Sequence, residues 1–479
     1  MIWRLEKQMD LPLYQQIIRL VEKHIEKGEL LPGEKLPPER KLAEYLDVNR
    51  STVVRALDEL AASGKVIRTQ GSGTRINEAK WGLFDSAKTN WRHYVDSGAF
   101  NTANPYLDAI QALKMAHPEK VIDLATGELP IELTPQIETP SLSWQSFLAE
   151  ELNNQSLGYL PLREAIGQRM FRTTGLRRET NQLLVTSGAQ QAIFLITQCL
   201  LRPGDAVAIE APSYFYSLPL FQSAGLRIFA LPMDEAGAKP DELEQLYRKH
   251  RIKMVFTNPT FQNPTGNLMT ESRRRALVSL CAKLQIPIVE DDPFGELHFE
   301  TNQSITPLKK LDEENVLYIG SFSKILGSTT RIGWLDGPAA VVNRLAEARQ
   351  EMDFGLSIFP QVLARFVLES SSFERHLAFL RAELKKRRDL LVEALEAYLP
   401  DELQYKLPLG GFHLWIELPR LNQTTARDFN RFLDQKLLVM PGFVFGQKGS
   451  VMRLTFARVT ETSAKEAAKR FAEILEAKS

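Results

Sequence analysis

From about Lys120 onward, short β-rich runs alternate with longer helical patterns, and this alternation constrains the fold more than any other feature. Leu183–Ser187 leads into Gln190–Leu200, and Met254–Thr257 and Ile286–Glu290 lie on either side of Glu271–Leu284. Strands separated by helix-length patterns join through crossovers, which predicts a mostly parallel sheet covered by helices. The C-terminal part adds a smaller mixed α+β unit, Gly410–Leu418 and Val451–Ala457 with flanking helices. A chain of 479 residues has room for this body and a separate head at roughly 100–200 residues per domain.

The N-terminal 76 residues have a different texture, dense in Lys, Arg and Glu. Leu13, Ile17, Val21 and Ile25 recur at helical spacing, and Gly28 with Pro32-Gly33 ends that helix. A second short helix follows Leu36-Pro37-Pro38-Glu39-Arg40, and a third runs from Asn49 or Arg50 to Ala62. In the third, Val53, Val54, Ala56, Leu57, Leu60 and Ala61 fall on one side, with Ser51, Thr52 and Arg55 opposite and Arg50 at the N-terminal end. Hydroxyls and guanidinium groups at a helix start suit phosphates and base edges. Lys65–Thr69, Gln70-Gly71-Ser72-Gly73 and Thr74–Ile76 read as a hairpin with a glycine-rich tip. Residues 49–76 carry five Lys/Arg against two acids, a local +3 on a chain whose 59 basic and 59 acidic residues cancel. Residues 77–115 read as an irregular linker with scattered aromatics (Trp81, Phe84, Trp91, Tyr94).

Two cysteines, Cys199 and Cys281, with no CxxC pair, argue against a disulfide framework and against a metal site built on thiolates. The charged start Met1-Ile2-Trp3-Arg4 is not a secretory signal, and no apolar stretch reaches the ~18 residues that span a bilayer. These features predict a cytoplasmic protein with no membrane partner.

The segments Leu31-Pro32-Gly33, Leu36-Pro37-x-Glu39-Arg40, Val48-x-Arg50-x-Thr52-Val53-x-Arg55-Ala56 and Gly71-Ser72-Gly73-Thr74 resemble the GntR-type winged helix-turn-helix. That resemblance implies a head, residues 1–76, that binds double-stranded operator DNA through Arg40, Arg50, Ser51, Thr52, Arg55 and the wing glycine Gly71.

Four motifs in the body carry chemistry. Val185-Thr186-Ser187-Gly188-Ala189-Gln190 runs from a strand end into a helix start, where small residues and the helix dipole favour an anion. Asn258-Pro259-Thr260-Phe261-Gln262-Asn263-Pro264 is a rigid loop able to present an amide. Three acids, Glu290-Asp291-Asp292, close an apolar strand where ligand crevices open in α/β sheets. Ser321-Phe322-Ser323-Lys324, followed by Arg331-Ile332-Gly333, sets a lysine and an arginine just past a strand, a pattern suited to a Schiff base beside a phosphate.

In order and spacing, with Gly158-Tyr159-x-Pro161-x-Arg163 and Pro203-Gly204-Asp205, they resemble the pyridoxal 5′-phosphate (PLP) enzymes of fold type I, the class I aminotransferase group. The resemblance implies a PLP-binding body over residues 116–479. It implies that Lys324 forms the Schiff base, Asp291 pairs with the pyridinium nitrogen, Asn263 donates to the phenolic oxygen and Tyr214 stacks on the ring. Ser187, Gly188, Ala189, Gln190, Ser321, Ser323 and Arg331 would cup the phosphate, and Arg453 would clamp an amino acid carboxylate. One position departs from the family. Three residues beyond the Asp it usually has a tyrosine donating to the phenolic oxygen, and here stands Phe294.

Head, linker and body together resemble the MocR subfamily of bacterial transcription regulators. The implied function is a PLP-dependent regulator whose body senses an amino acid, an amine or PLP, in a head-to-tail homodimer. The alternatives are a working aminotransferase with an accessory DNA-binding head, and a body that binds no cofactor and serves only for dimerisation.

Overall fold

The computed structural model describes residues 3, 5, 11–27, 29–31, 33–69, 73–77, 104–136, 143–300, 305–421 and 426–476. Gly28, Pro32, the wing tip Gln70-Gly71-Ser72 and the aromatics Trp81, Phe84, Trp91 and Tyr94 lie outside them. The chain divides into two compact units, Met1–Asn101 and Thr102–Ser479.

In the first unit α1 (Leu13–Glu26), α2 (Glu39–Leu46) and α3 (Arg50–Ala62) precede a hairpin of β1 (Val66–Thr69) and β2 (Gly73–Ile76). Ile17, Val21 and Ile25 of α1 are buried with Leu42, Val53, Ala56, Leu57 and Leu60 in one core. Each valine, leucine or isoleucine among them contributes about 1.5–3 kcal/mol when fully buried. Leu13, first of the predicted stripe, is instead exposed, because α1 begins there and has no turn before it to pack. Ser51 and Arg55 face solvent, opposite the buried residues.

In the second unit the sequence expectation fails first at its start. Residues Pro105–Ala116, all but the last within the stretch 77–115 that reads as irregular linker, form a helix, α4. Asn104 caps it by accepting from the Tyr106 N–H at 3.1 Å, and Pro105 takes the first turn, where its missing N–H costs nothing. Tyr106 and Ile110 sit in the body's core, and the Tyr106 hydroxyl donates to the Val439 carbonyl at 3.2 Å. The short strand β3 (Ile122–Asp123) follows.

The central sheet has eight strands. In chain order they are β4 (Leu183–Thr186), β5 (Ala206–Ala211), β6 (Arg227–Asp234), β7 (Gly237–Ala238), β8 (Ile252–Thr257), β9 (Ile288–Asp292), β10 (Val316–Ser321) and β11 (Gly333–Asp336). Across the sheet the order is β4-β11-β10-β9-β8-β5-β6-β7. β8, β9, β10, β5 and β6 pair in parallel; β11 is antiparallel to both neighbours, and the two-residue β7 is antiparallel to β6. The interior strands β8 and β10 are almost wholly buried, as expected of a sheet covered on both faces. A smaller antiparallel sheet holds β12 (Gln404–Tyr405), β13 (His413–Glu417), β15 (Met440–Pro441) and β16 (Val451–Thr455), and β14 (Leu437–Leu438) pairs with β3. Among the described residues no helix is long and apolar enough to cross a membrane.

Candidate functional site

Register alone gathers the predicted anion cup. Thr186 pairs with Gly333, and Gly333 with Ser321, so the segments after β4, before β11 and after β10 meet at one edge of the sheet. Gly188 has φ +85° and precedes the helix Ala189–Cys199, whose first N–H groups have no partner within the helix. The contact is backbone to backbone: a Cβ on Gly333 would stand 2.8 Å from the Gly188 carbonyl carbon and 3.0 Å from the Ala189 nitrogen. Ser187 donates its N–H to Gln191 Oε1 at 2.8 Å, and Ser321 Oγ accepts from the Ser323 N–H at 3.3 Å. Gln190 and Arg331 are exposed there, Arg331 in a left-handed turn at φ +47°. Ser187, Gly188, Ala189, Gln190, Ser321, Ser323 and Arg331 are thus brought to one place.

Beside the cup runs a closed circuit of hydrogen bonds. Tyr214 Oη donates to Asp291 Oδ2 at 2.6 Å. Asn258 Nδ2 donates to the Asp291 carbonyl at 2.7 Å, and Asn258 Oδ1 accepts from the Asn263 N–H at 2.7 Å. The Asn263 carbonyl in turn accepts from the Tyr214 N–H at 3.0 Å. Glu210, fully buried at the end of β5, braces the same loop through Thr257 Oγ1, the Asn258 N–H and Gln262 Nε2. Nothing in the sequence pattern singles out Glu210, whose partners lie 47 to 52 residues away in the chain, and Asn258 reaches Asp291 across 33 residues.

Arg453, buried on β16, donates from Nη1 to Asn263 Oδ1 at 2.9 Å and from Nη2 to the Ala125 carbonyl at 2.6 Å, while its Nε has no partner. Burial lowers its pKa to about 9. Lys324 Nζ donates to the Gly127 carbonyl at 2.5 Å, and burial, with Arg453 near by, lowers its pKa to about 8. A lysine so depressed is a better nucleophile near neutrality than a solvated one. His413, which no sequence motif marks, is buried on β13 with Nδ1 3.2 Å from Thr455 Oγ1. Its ring packs edge-on against Phe294, and burial holds its pKa well below the usual histidine value. Phe294 is itself buried, against Phe412 and His413.

The donor set can be tested against a pyridine ring bearing a phosphate. Asp291 Oδ1 is buried with no hydrogen-bond partner, a costly state that a protonated ring nitrogen would relieve. Burial raises the Asp291 pKa to about 7. The anion cup, the amine of Lys324 and this orphan acceptor occupy one end of the sheet, and the residues fit the group.

The description "Aminotransferase class I and II" matches residues 119–471, and "Bacterial regulatory proteins, gntR family" matches residues 13–76. The chain belongs to the class I and II aminotransferase family and carries a GntR head. It is similar to the HTH-type transcriptional regulator YisV of Bacillus subtilis, 36% identical over 97% of each chain. The kynurenine aminotransferase of Pyrococcus horikoshii, solved with PMP, has a TM-score of 0.72 and 30% identity over 81% of this chain and 98% of its own. LysN of Thermus thermophilus, an α-aminoadipate aminotransferase complexed with N-(5′-phosphopyridoxyl)-L-leucine, has a TM-score of 0.66 and 26% identity over 78% of this chain and 97% of its own. The protein is a transcriptional regulator with a GntR DNA-binding head and a fold-type I, aminotransferase-like body.

In the head, Arg40, Arg50, Ser51 and Arg55 are exposed and Thr52 half-buried, while Gly71 lies outside the described residues. Arg50 donates from Nε and Nη2 to Glu39 Oε2 at 3.1 and 2.8 Å, and Glu39 Oε1 takes Arg68. Arg55 lies over the Tyr14 ring, 4.0 Å from its centre.

Proposed function

We propose that this regulator, of the MocR type, binds PLP through Lys324 and senses an amino compound whose carboxylate is received by Arg453. The observation that carries the reading is the unpartnered, buried Asp291 Oδ1 inside its circuit of Tyr214, Asn258 and Asn263. When bound, the cofactor supplies an electron sink whose strength depends on a protonated ring nitrogen. Asp291 would hold that proton in place, and Tyr214, which fixes the carboxylate, would stack on the ring. With its Oδ1 engaged by Arg453, Asn263 would offer Nδ2 to the phenolic oxygen. The helix start at Ala189, with Ser187, Gly188, Gln190, Ser321, Ser323 and Arg331, receives the phosphate. Arg453 suits a carboxylate because its fork gives two parallel donors.

The head reads operator DNA with Arg40, Arg50, Ser51, Thr52, Arg55 and the wing at Gly71. A homodimer places two such heads, in the head-to-tail arrangement that the MocR resemblance implies. In support of a second copy, Trp144 (65% exposed) lies 5.7 Å from the half-exposed Phe359, with Leu148 one turn on and Leu152 89% exposed. Exposed apolar side chains of this kind suit an interface with another chain.

The visible spectrum of the purified protein with PLP, before and after a panel of amino acids, tests the reading. A yellow protein whose band shifts with one compound and then holds steady is the expected result. Bleaching to the pyridoxamine form with recovery on adding a keto acid would make it a working aminotransferase. A protein that stays colourless with PLP would overturn cofactor binding.

A further inference from the structure

Both groups assigned to the ligand, Lys324 and Arg453, are engaged by one short segment of backbone. Arg453 Nη2 holds the Ala125 carbonyl and Lys324 Nζ holds the Gly127 carbonyl. Up to Leu124 the chain is fixed against β14 and β16: Ile122 and Leu124 donate to the Lys436 and Leu438 carbonyls, and the Leu124 carbonyl accepts from the Thr455 N–H at 2.7 Å. Beyond it, residues 125–128 lean on the two ligand-binding side chains.

The same segment is tied to α4. Asp123 Oδ1 accepts from the N–H groups of Ala125 and Thr126 at 3.0 and 2.9 Å, closing a turn. Lys114, on the last turn of α4, reaches that turn twice: its Nζ lies 3.1 Å from Asp123 Oδ2 and donates to Thr126 Oγ1 at 2.8 Å. In sequence, α4 is the first described element after the head's hairpin.

We propose that Lys114 and Asp123 couple occupancy of the Lys324–Arg453 pocket to the helix Pro105–Ala116, acting through residues 125–128. The coupling presupposes that this pocket takes PLP and a carboxylate, as proposed for the function. Either bidentate fork of a guanidinium that faces a carboxylate uses Nη2, so a bound carboxylate and the Ala125 carbonyl draw on the same nitrogen. A group attached at Lys324 Nζ likewise draws on the nitrogen that holds Gly127. The ligand therefore interacts differently with the two arrangements of this segment, as an effector must if it is to shift an equilibrium. Lys114 passes the difference to α4 because it binds the turn on both sides of Ala125. A Cβ at Gly127 would stand 3.2 Å from His413 Cε1, so the segment passes tightly over that ring.

The test uses the full-length protein with N-(5′-phosphopyridoxyl)-L-leucine, which carries cofactor and carboxylate in one stable molecule. Calorimetry reads binding, and amide hydrogen exchange reads residues 105–116. In the wild type the probe binds and changes exchange in 105–116 by about fivefold or more, the low end of ordinary allosteric coupling. Lys114→Met binds the probe without that change, and Lys114→Arg restores it. A wild type that binds the probe with exchange in α4 unaltered overturns the coupling and leaves the pocket reading intact. So does a Lys114→Met variant that responds as the wild type does. A wild type that binds neither the probe nor PLP overturns the pocket reading and the coupling with it.

Discussion

Tyr214 donates its hydroxyl to Asp291 Oδ2 at 2.6 Å, which pins the carboxylate and leaves Oδ1 buried without a partner. The cost of that state depends on pH. Burial raises the Asp291 pKa to about 7, the Tyr214 hydrogen bond opposes it, and Asp292 and Glu210 add to it. A carboxyl whose folded value exceeds its unfolded value stabilises the fold at low pH, and that contribution is lost as pH rises through the folded value. The cofactor-free protein is therefore expected to melt lower at about pH 8 than at about pH 5, with PLP raising the melting temperature more at the higher pH. Asp291→Asn should flatten the dependence and reduce the gain from PLP. Thermal scans at the two pH values check both, and an unchanged slope in Asp291→Asn would count against this assignment.

The floor of the anion cup gives a steric prediction. Gly333→Ala places a methyl group 2.8 Å from the Gly188 carbonyl carbon, and only backbone movement relieves it. Overpacking of this kind costs about 1–3 kcal/mol. Because the backbone that must move begins the helix at Ala189, PLP affinity should fall together with stability. A PLP titration followed by absorbance, set beside the denaturant midpoint, checks the pairing.

Which parts of the site are legible in the sequence follows from where each residue's partners lie. Lys324, Asp291 and the Ser187–Gln190 turn stand at strand ends in short, readable motifs, and the strand–helix alternation announces the sheet. The register that joins Thr186, Gly333 and Ser321 is not readable, because β11 runs antiparallel between two strands that point the other way. Helix α4 escapes the sequence reading although Asn104-Pro105 is a start signal and Tyr106, Ile110 and Leu113 follow a helical period. Short length and a flank of aromatics without period hide it. Glu210, His413 and Gly127 act through contacts 42 to 197 residues distant, which no local pattern encodes.

Arg50 and Arg55 project from the exposed face of α3, and Arg50 is drawn against Glu39, a carboxylate it would leave to meet a base. Arg50→Ala or Arg55→Ala should weaken operator binding by about 1–3 kcal/mol if the residue reads a base bidentately. Fluorescence anisotropy at matched salt, on operator and on unrelated DNA, separates the roles. Loss confined to the operator assigns base reading, and an equal loss on both assigns a phosphate contact.

Phe294 packs against Phe412 and His413, at the position where the resemblance to the aminotransferases leads one to expect a tyrosine donating to the cofactor's phenolic oxygen. Phenylalanine cannot donate, which leaves Asn263 as the side-chain donor proposed for that oxygen. A donor stabilises the anionic oxygen and lowers its hold on a shared proton, so restoring one should move the visible titration of the PLP-bound protein to lower pH. One neutral hydrogen bond is worth about 0.5–1.5 kcal/mol, equivalent to a shift of up to about one pH unit. Phe294→Tyr is expected to show that downward shift, with the PLP-bound band still present. A titration that stays in place would mean that the added hydroxyl does not reach the phenolic oxygen, and that this phenylalanine does not set the proton's affinity.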